Sequence, residues 1–272
     1  MSLAKLKKSY KRPIQIPTTP REFRPIVIGN SIGGRLRQQA SLPLHSEIHW
    51  WCKGGRTVVQ ALDWLKQNLD TEVQLITGNI WLYIIIGTCD FTAFDRKTKY
   101  IKLKYQNTEE LVEHLVKNYK EIIQILKGLS PGSQATIVEI PYFSIEAWNK
   151  AHKHKNPETF RDQDHQLEHQ LLEVNKAIRN TNEENQHFSP NFNIDLYRTS
   201  TRQQRTYQRE TTSNRHGETK SRRLYNLSLL QDGIHPNIHL TKAWLMKLTR
   251  QITRDCWAKD KEDIDTDINN NS

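Results

Sequence analysis

The stretch Ile80-Trp81-Leu82-Tyr83-Ile84-Ile85-Ile86 is apolar at every position and is closed by Gly87. A run of this kind is expected of a central strand in a parallel sheet, where helices cover both faces. It constrains the rest of the chain, which must supply neighbouring strands and the helices that cover them. At 272 residues the chain is long enough to bury such a core in one domain.

The flanking segments read accordingly. Pro25 to Gly29 is a short apolar strand ended by glycine, after which Ser31 to Gln39 turns into a helix. Glu47 to Trp51 is a second strand that closes on Gly54-Gly55. Val58, Val59, Leu62, Leu65 and Leu69 follow at helical spacing. A helix is predicted from about Thr108 to Lys127, a strand over Ala135 to Ile140 stopped by Pro141, and a long polar helix over Asp164 to Arg179. Asn193 to Tyr197 reads as a short fifth strand, and Leu240 to Trp257 as a closing helix. Strands alternating with helices imply an α/β fold: a doubly wound, flavodoxin-like parallel sheet of about five strands with helices on both faces.

Outside this pattern, residues 1–22 are basic and lack apolar periodicity, so a flexible tail is expected before a domain spanning 23–258. Residues 199–223 are crowded with Arg, Gln, Thr and Ser and read as a basic mobile insertion; 259–272 reads as a polar, disordered C-terminal tail. The basic N-terminus has no apolar run of the kind a signal peptide needs, and no segment approaches the roughly 20 apolar residues of a membrane span. Cys52, Cys89 and Cys256 are odd in number and far apart, so neither a disulfide framework nor a paired-cysteine zinc site is visible. An intracellular location, cytoplasmic or nuclear, is expected.

The net charge of +10 favours acidic partners. Arg202, Arg205, Arg209, Arg215, Lys220, Arg222 and Arg223 in the insertion, together with Lys5, Lys7, Lys8, Lys11 and Arg12, are candidate phosphate contacts. Aromatic interleaving there is sparse, essentially Tyr207 and Tyr10, so the basic segments read either as a solvated charged loop or as a weak, nonspecific nucleic-acid contact.

In an open parallel sheet, ligands bind beyond the carboxyl ends of the strands. The segments there are Gly29-Asn30-Ser31-Ile32, Gly54-Gly55-Arg56-Thr57, Gly87-Thr88-Cys89-Asp90 and, near the C-terminus, Asp232-Gly233-Ile234-His235-Pro236. Each is a small-residue turn that holds a polar group. Taken singly, Ser31 reads as a helix N-cap, Gly54-Gly55 as a tight turn, Asp232-Gly233 as a plain turn and Cys89 as a small packed residue. Their order in one chain is what makes them informative.

In these four blocks the sequence resembles the SGNH (GDSL-like) hydrolase superfamily, whose blocks read G-D-S, a glycine in a G-x-T turn, G-x-N-D and D-x-x-H. The likeness runs from about residue 25 to 256, and there is a further, general likeness to SGNH-like proteins of invertebrate mobile elements. The resemblance implies a serine esterase in which Ser31 is the nucleophile, His235 the base that takes its proton, and Asp232 the group that orients and stabilises the imidazole. It also implies an oxyanion hole built by the backbone N–H groups of Ser31 and Gly55, with a third donor at the position of Cys89. Two positions depart from the family pattern: Asn30 replaces the Asp of the first block, and Cys89 replaces the Asn of the third.

Two functions follow as expectations. One is hydrolysis of a small ester, acyl or acetyl substrate through a covalent Ser31 intermediate, with no cofactor and no metal. The other is a catalytically weakened SGNH-like module that binds RNA or DNA through its basic segments. The pair His165 and His169, four apart on a helix, has no evident third ligand and reads as a solvated face.

Overall fold

The computed structural model describes residues 2–197 and 225–258. In chain order its elements are α1 (Leu3–Tyr10), β1 (Phe23–Gly29), α2 (Ser31–Gln38), β2 (His49–Cys52), α3 (Val58–Gln74), β3 (Asn79–Ile85), β4 (Thr92–Phe94), β5 (Ile101–Leu103), α4 (Thr108–Leu129), β6 (Gln134–Ile137), α5 (Ile145–Ala151), α6 (Arg161–Glu183), α7 (Asn193–Leu196) and α8 (Ile238–Cys256).

Four strands form one parallel sheet in the order β2-β1-β3-β6. Leu82, Tyr83, Ile84 and Ile85 on β3 are all buried, as are Ile26, Val27 and Ile28 on β1. Successive strand residues point to opposite faces, so both faces of the sheet are covered. Two sets of helices supply the cover: α3, α4 and α6 pack in series, and so do α1, α8 and α2. The inner stripe of α4, Leu111, Leu115, Tyr119, Ile122, Ile123 and Leu126, is buried, and α3 buries Val58, Leu62, Leu65 and Leu69. No helix among the described residues is long and apolar enough to cross a membrane.

The fifth strand expected at Asn193 to Tyr197 is instead the short helix α7, and the sheet has four strands among the described residues. Asparagine side chains bond the outer edge of β6 and the segment after it. Asn182 accepts from the Ile137 N–H at 3.0 Å and donates to its carbonyl at 2.7 Å. Asn175 brackets Ile140 in the same way at 2.8 and 2.9 Å, and Asn193 accepts from the Tyr142 N–H at 2.8 Å. A primary amide carries one acceptor and a two-hydrogen donor, so it satisfies both groups of a strand residue and leaves nothing for a further strand to pair with.

The N-terminal segment also differs from its reading as a flexible tail. Residues 3–10 are helical, Leu6 is completely buried, and Tyr10 Oη lies 3.1 Å from His239 Nδ1 on α8. Arg250 of α8 donates to the carbonyls of Ser9 and Arg12, and Glu22 N–H bonds to the Cys256 carbonyl. The insertion at 199–223 and the tail at 259–272 lie outside the described residues, and with them Arg202, Arg205, Arg209, Arg215, Lys220, Arg222 and Arg223.

The strands β4 and β5 and the helix α5 had no counterpart in the sequence reading. The hairpin β4–β5 is antiparallel and only three residues long on each side, too short to show alternation. Helix α5 spans seven residues; Ser144 caps it by accepting the Ala147 N–H at 2.9 Å.

Candidate active site

Parallel pairing places Gly29, Cys52 and Ile85 level with one another, so the turns after β1, β2 and β3 leave the same edge of the sheet. Ser31 is the first residue of α2. Asn30 caps that helix: its Oδ1 accepts the Ile32 N–H at 2.9 Å, and its own N–H bonds to the Ile85 carbonyl at 3.1 Å. An amide oxygen does this as well as a carboxylate oxygen, so the change from Asp to Asn at this position leaves the turn intact.

The loop that carries Asp232 and His235 is a closed turn. Leu230 and Pro236 form an antiparallel bridge, and Gln231 N–H bonds to the His235 carbonyl at 2.7 Å. Within the turn, Asp232 Oδ1 accepts the N–H groups of Ile234 at 3.1 Å and His235 at 2.8 Å. Its other oxygen, Oδ2, lies 2.7 Å from His235 Nδ1, and His235 Nε2 lies 2.9 Å from Ser31 Oγ. A carboxylate only accepts, so Nδ1 carries the proton; Nε2 is then the acceptor for the serine hydroxyl. Arg35 on α2 donates to Gln231 Oε1 at 2.8 Å and ties the serine's helix to the loop.

Burial is the largest single influence on the Asp232 carboxyl and raises its pKa. The hydrogen bonds from the His235 ring and from the His235 and Ile234 N–H groups, with the histidine's charge, together outweigh it and hold the carboxyl at about 2. Asp232 is therefore a fixed anion across the neutral range.

Gly55 lies in the turn between β2 and α3 with φ of +72°, a left-handed conformation that suits glycine. Cys89 sits in the short 3-10 turn Thr88–Asp90 beyond β3, half-buried. Burial, reinforced by the neighbouring Asp90 charge, pushes its thiol up to about 11, so it is neutral at pH 7. Ser31 N–H opens a helix and has no intrahelical acceptor.

Sequence reasoning located Ser31, Asp232 and His235, and the structure brings these three into one hydrogen-bonded row. It did not find the groups around them. Asp90 is buried and receives the Val58 N–H at 3.1 and 3.2 Å on its two oxygens, joining the turn of Cys89 to the start of α3. Asp164 accepts from Ser144 Oγ at 2.5 Å and from the Ile145 N–H at 2.6 Å, while Ser144 N–H donates to the Gly233 carbonyl at 2.9 Å. Trp148 stands beside the His235 ring, with centroids 5.8 Å apart. Only the first carried a sequence signal, as the last residue of the third block.

No protein-family model matches this sequence, and neither does any curated protein. Solved structures do match. A candidate acylhydrolase from Bacteroides fragilis is similar with a TM-score of 0.53 at 13% identity, over 92% of this chain and 94% of that one. A GDSL-like lipase from Bacteroides thetaiotaomicron gives 0.54 at 13% identity, over 93% and 99%. This chain has the SGNH hydrolase fold. At such low identity the likeness is one of fold, and the arrangement of side chains over the SGNH sheet must argue its own chemistry.

Proposed function

We propose that the chain is an SGNH-type serine hydrolase that cleaves a small ester, acyl or acetyl substrate through a covalent Ser31 intermediate. One observation carries this reading: the unbroken row Ser31 Oγ, His235 Nε2, His235 Nδ1, Asp232 Oδ2, with spacings of 2.9 and 2.7 Å.

A hydroxyl is a weak nucleophile until a base removes its proton. As Ser31 Oγ attacks the carbonyl carbon, its proton passes to His235 Nε2, and the imidazolium that forms is stabilised by the Asp232 carboxylate. The carbonyl oxygen becomes an oxyanion, for which the N–H groups of Ser31 and Gly55 are the candidate donors, with the Cys89 S–H as a weak third. Being neutral, the thiol adds no negative charge beside the oxyanion. The tetrahedral species collapses as His235 returns the proton to the leaving oxygen, which departs as an alcohol. Water then attacks the acyl-serine with His235 again as base, releasing the acid and restoring Ser31. No cofactor enters these steps.

The test is labelling of the purified protein by a fluorophosphonate probe and turnover of short-chain p-nitrophenyl esters, each compared with Ser31→Ala. Both signals are expected to vanish in the variant. Absence of any Ser31-dependent adduct or turnover in the folded wild type overturns the reading.

The alternative, a nucleic-acid-binding module, is supported by the +10 charge, by Cys89 in the oxyanion position, and by Lys5, Lys7 and Lys8, which lie exposed on α1. Its test is the salt dependence of binding to single-stranded RNA. Affinity that stays flat between low and moderate salt counts against it, since phosphate contacts must release counterions.

A further inference from the structure

The indole of Trp148 is fixed beside the catalytic candidate histidine by contacts from three directions. Its Nε1–H donates to the Lys99 carbonyl at 3.3 Å, in the turn of the β4–β5 hairpin. One face lies on the ring of His152, with centroids 4.1 Å apart and planes 24° from parallel. The His235 ring stands 5.8 Å away, inclined at 55°.

The backbone under the indole is equally constrained. Gly233, between Asp232 and His235, has φ of +91°, and a Cβ placed there would come within 2.6 Å of Trp148 N and 2.7 Å of Ala147 Cβ. The Ser144 N–H bond to the Gly233 carbonyl joins the same two segments. Helix α5 and the Asp232–His235 turn therefore form one packed unit, and Trp148 keeps its place relative to the imidazole. Yet the residue is only half-buried, which leaves part of the ring open to solvent.

The chemistry decides which part of a substrate that open ring meets. His235 Nε2 must hand its proton to the leaving oxygen, so the alcohol portion of an ester lies on the histidine side of Ser31. Resting on the hydrolase reading above, we propose that Trp148 is a specificity residue that walls the leaving-group side. The substrates preferred are then esters whose alcohol carries a ring or another flat apolar surface able to lie against the indole.

The experiment compares wild type, Trp148→Ala and Trp148→Phe on benzyl acetate and methyl acetate, which share the acyl group and release alcohols of similar acidity, one with a ring and one without. It also measures hydrolysis of the common acetyl-enzyme in single turnover. Trp148→Ala should lose about ten-fold or more in kcat/KM on benzyl acetate and about two-fold or less on methyl acetate, a size typical of a lost apolar contact. Trp148→Phe should restore most of the difference. Deacylation should be unchanged in both variants, because the alcohol has already left.

An equal loss on both esters, or a slowed deacylation, would mean that Trp148 merely supports His235, which acts in both steps; either result overturns the proposal and leaves the hydrolase reading standing. No loss on benzyl acetate overturns it likewise. Absence of Ser31-dependent turnover in the wild type overturns both.

Discussion

Asp232 engages His235 twice, through Oδ2 to the ring Nδ1 at 2.7 Å and through Oδ1 to the backbone N–H at 2.8 Å. The short D-x-x-H spacing allows this double contact: one carboxylate shapes the turn and orients the ring it presents. Asp232→Asn separates the two functions. An amide can still accept the backbone N–H groups, so the fold should persist. An amide facing Nδ1 no longer fixes the proton there, and the ester-hydrolysis rate should fall about 10³- to 10⁴-fold. Steady-state kinetics alongside thermal unfolding checks this, and a rate near wild type would remove Asp232 from the mechanism.

In the proposed hydrolase, Cys89 is the oxyanion position with the weakest donor. A third oxyanion donor is worth roughly 100- to 1000-fold in rate, and a neutral thiol supplies little of it. Cys89→Asn should raise kcat on short esters by about ten-fold or more. An unchanged or lower rate would mean that the site has adapted to sulfur. With its thiol pushed up to about 11, Cys89 should also react only slowly with iodoacetamide at pH 8, which mass spectrometry can follow in the folded protein.

Asp90 links stability to pH. Burial raises its carboxyl to about 7; the hydrogen bond from Val58 and the charge of Lys104 offset this only in part. The unfolded chain releases this proton near the ordinary value of 3.8, so between there and about 7 the folded state holds the extra proton. Stability from this group is thus fully present at low pH, falls as pH rises through that window, and levels off above it. Asp90→Asn removes the titration. The variant should gain on wild type across the window by an amount on the order of 2–4 kcal/mol, read from urea unfolding at pH 4.5, 6 and 8. A difference independent of pH would show that Asp90 does not titrate there.

The strands and helices legible in this sequence are those where one segment carries the whole signal. Ile80 to Ile86 announces a covered strand by itself. Ser31, Asp232 and His235 were legible only together, from the order of four short turns in one chain, because each turn taken singly reads as a plain cap or turn. What escaped depends on pairs distant along the chain. Nothing in the polar stretch from Asp164 to Arg179 indicates that Asn175 will face the Ile140 backbone, and nothing in Asn193 to Tyr197, read as a fifth strand, shows that it turns into a helix. Trp148 carries no local mark of its position beside His235.

The N-terminal segment is the sharpest case of this kind, and it can be tested directly. Between lysines, Leu3, Leu6 and Tyr10 look too sparse to anchor anything, yet Leu6 is completely buried in the common core while Lys5, Lys7 and Lys8 face outward. One apolar side chain per two turns suffices because α8 supplies the other half of the contact, with the Tyr10 hydroxyl on His239 and Arg250 on the carbonyls of Ser9 and Arg12. Leu6→Ala should therefore destabilise the domain by about 2–4 kcal/mol, as for a leucine truncated in a packed interior, whereas Lys7→Ala should stay within about 0.5 kcal/mol of wild type. Chemical denaturation of both variants decides it. If Leu6→Ala proves as silent as Lys7→Ala, the helix does not dock in solution, and α8 presents an apolar face there without it.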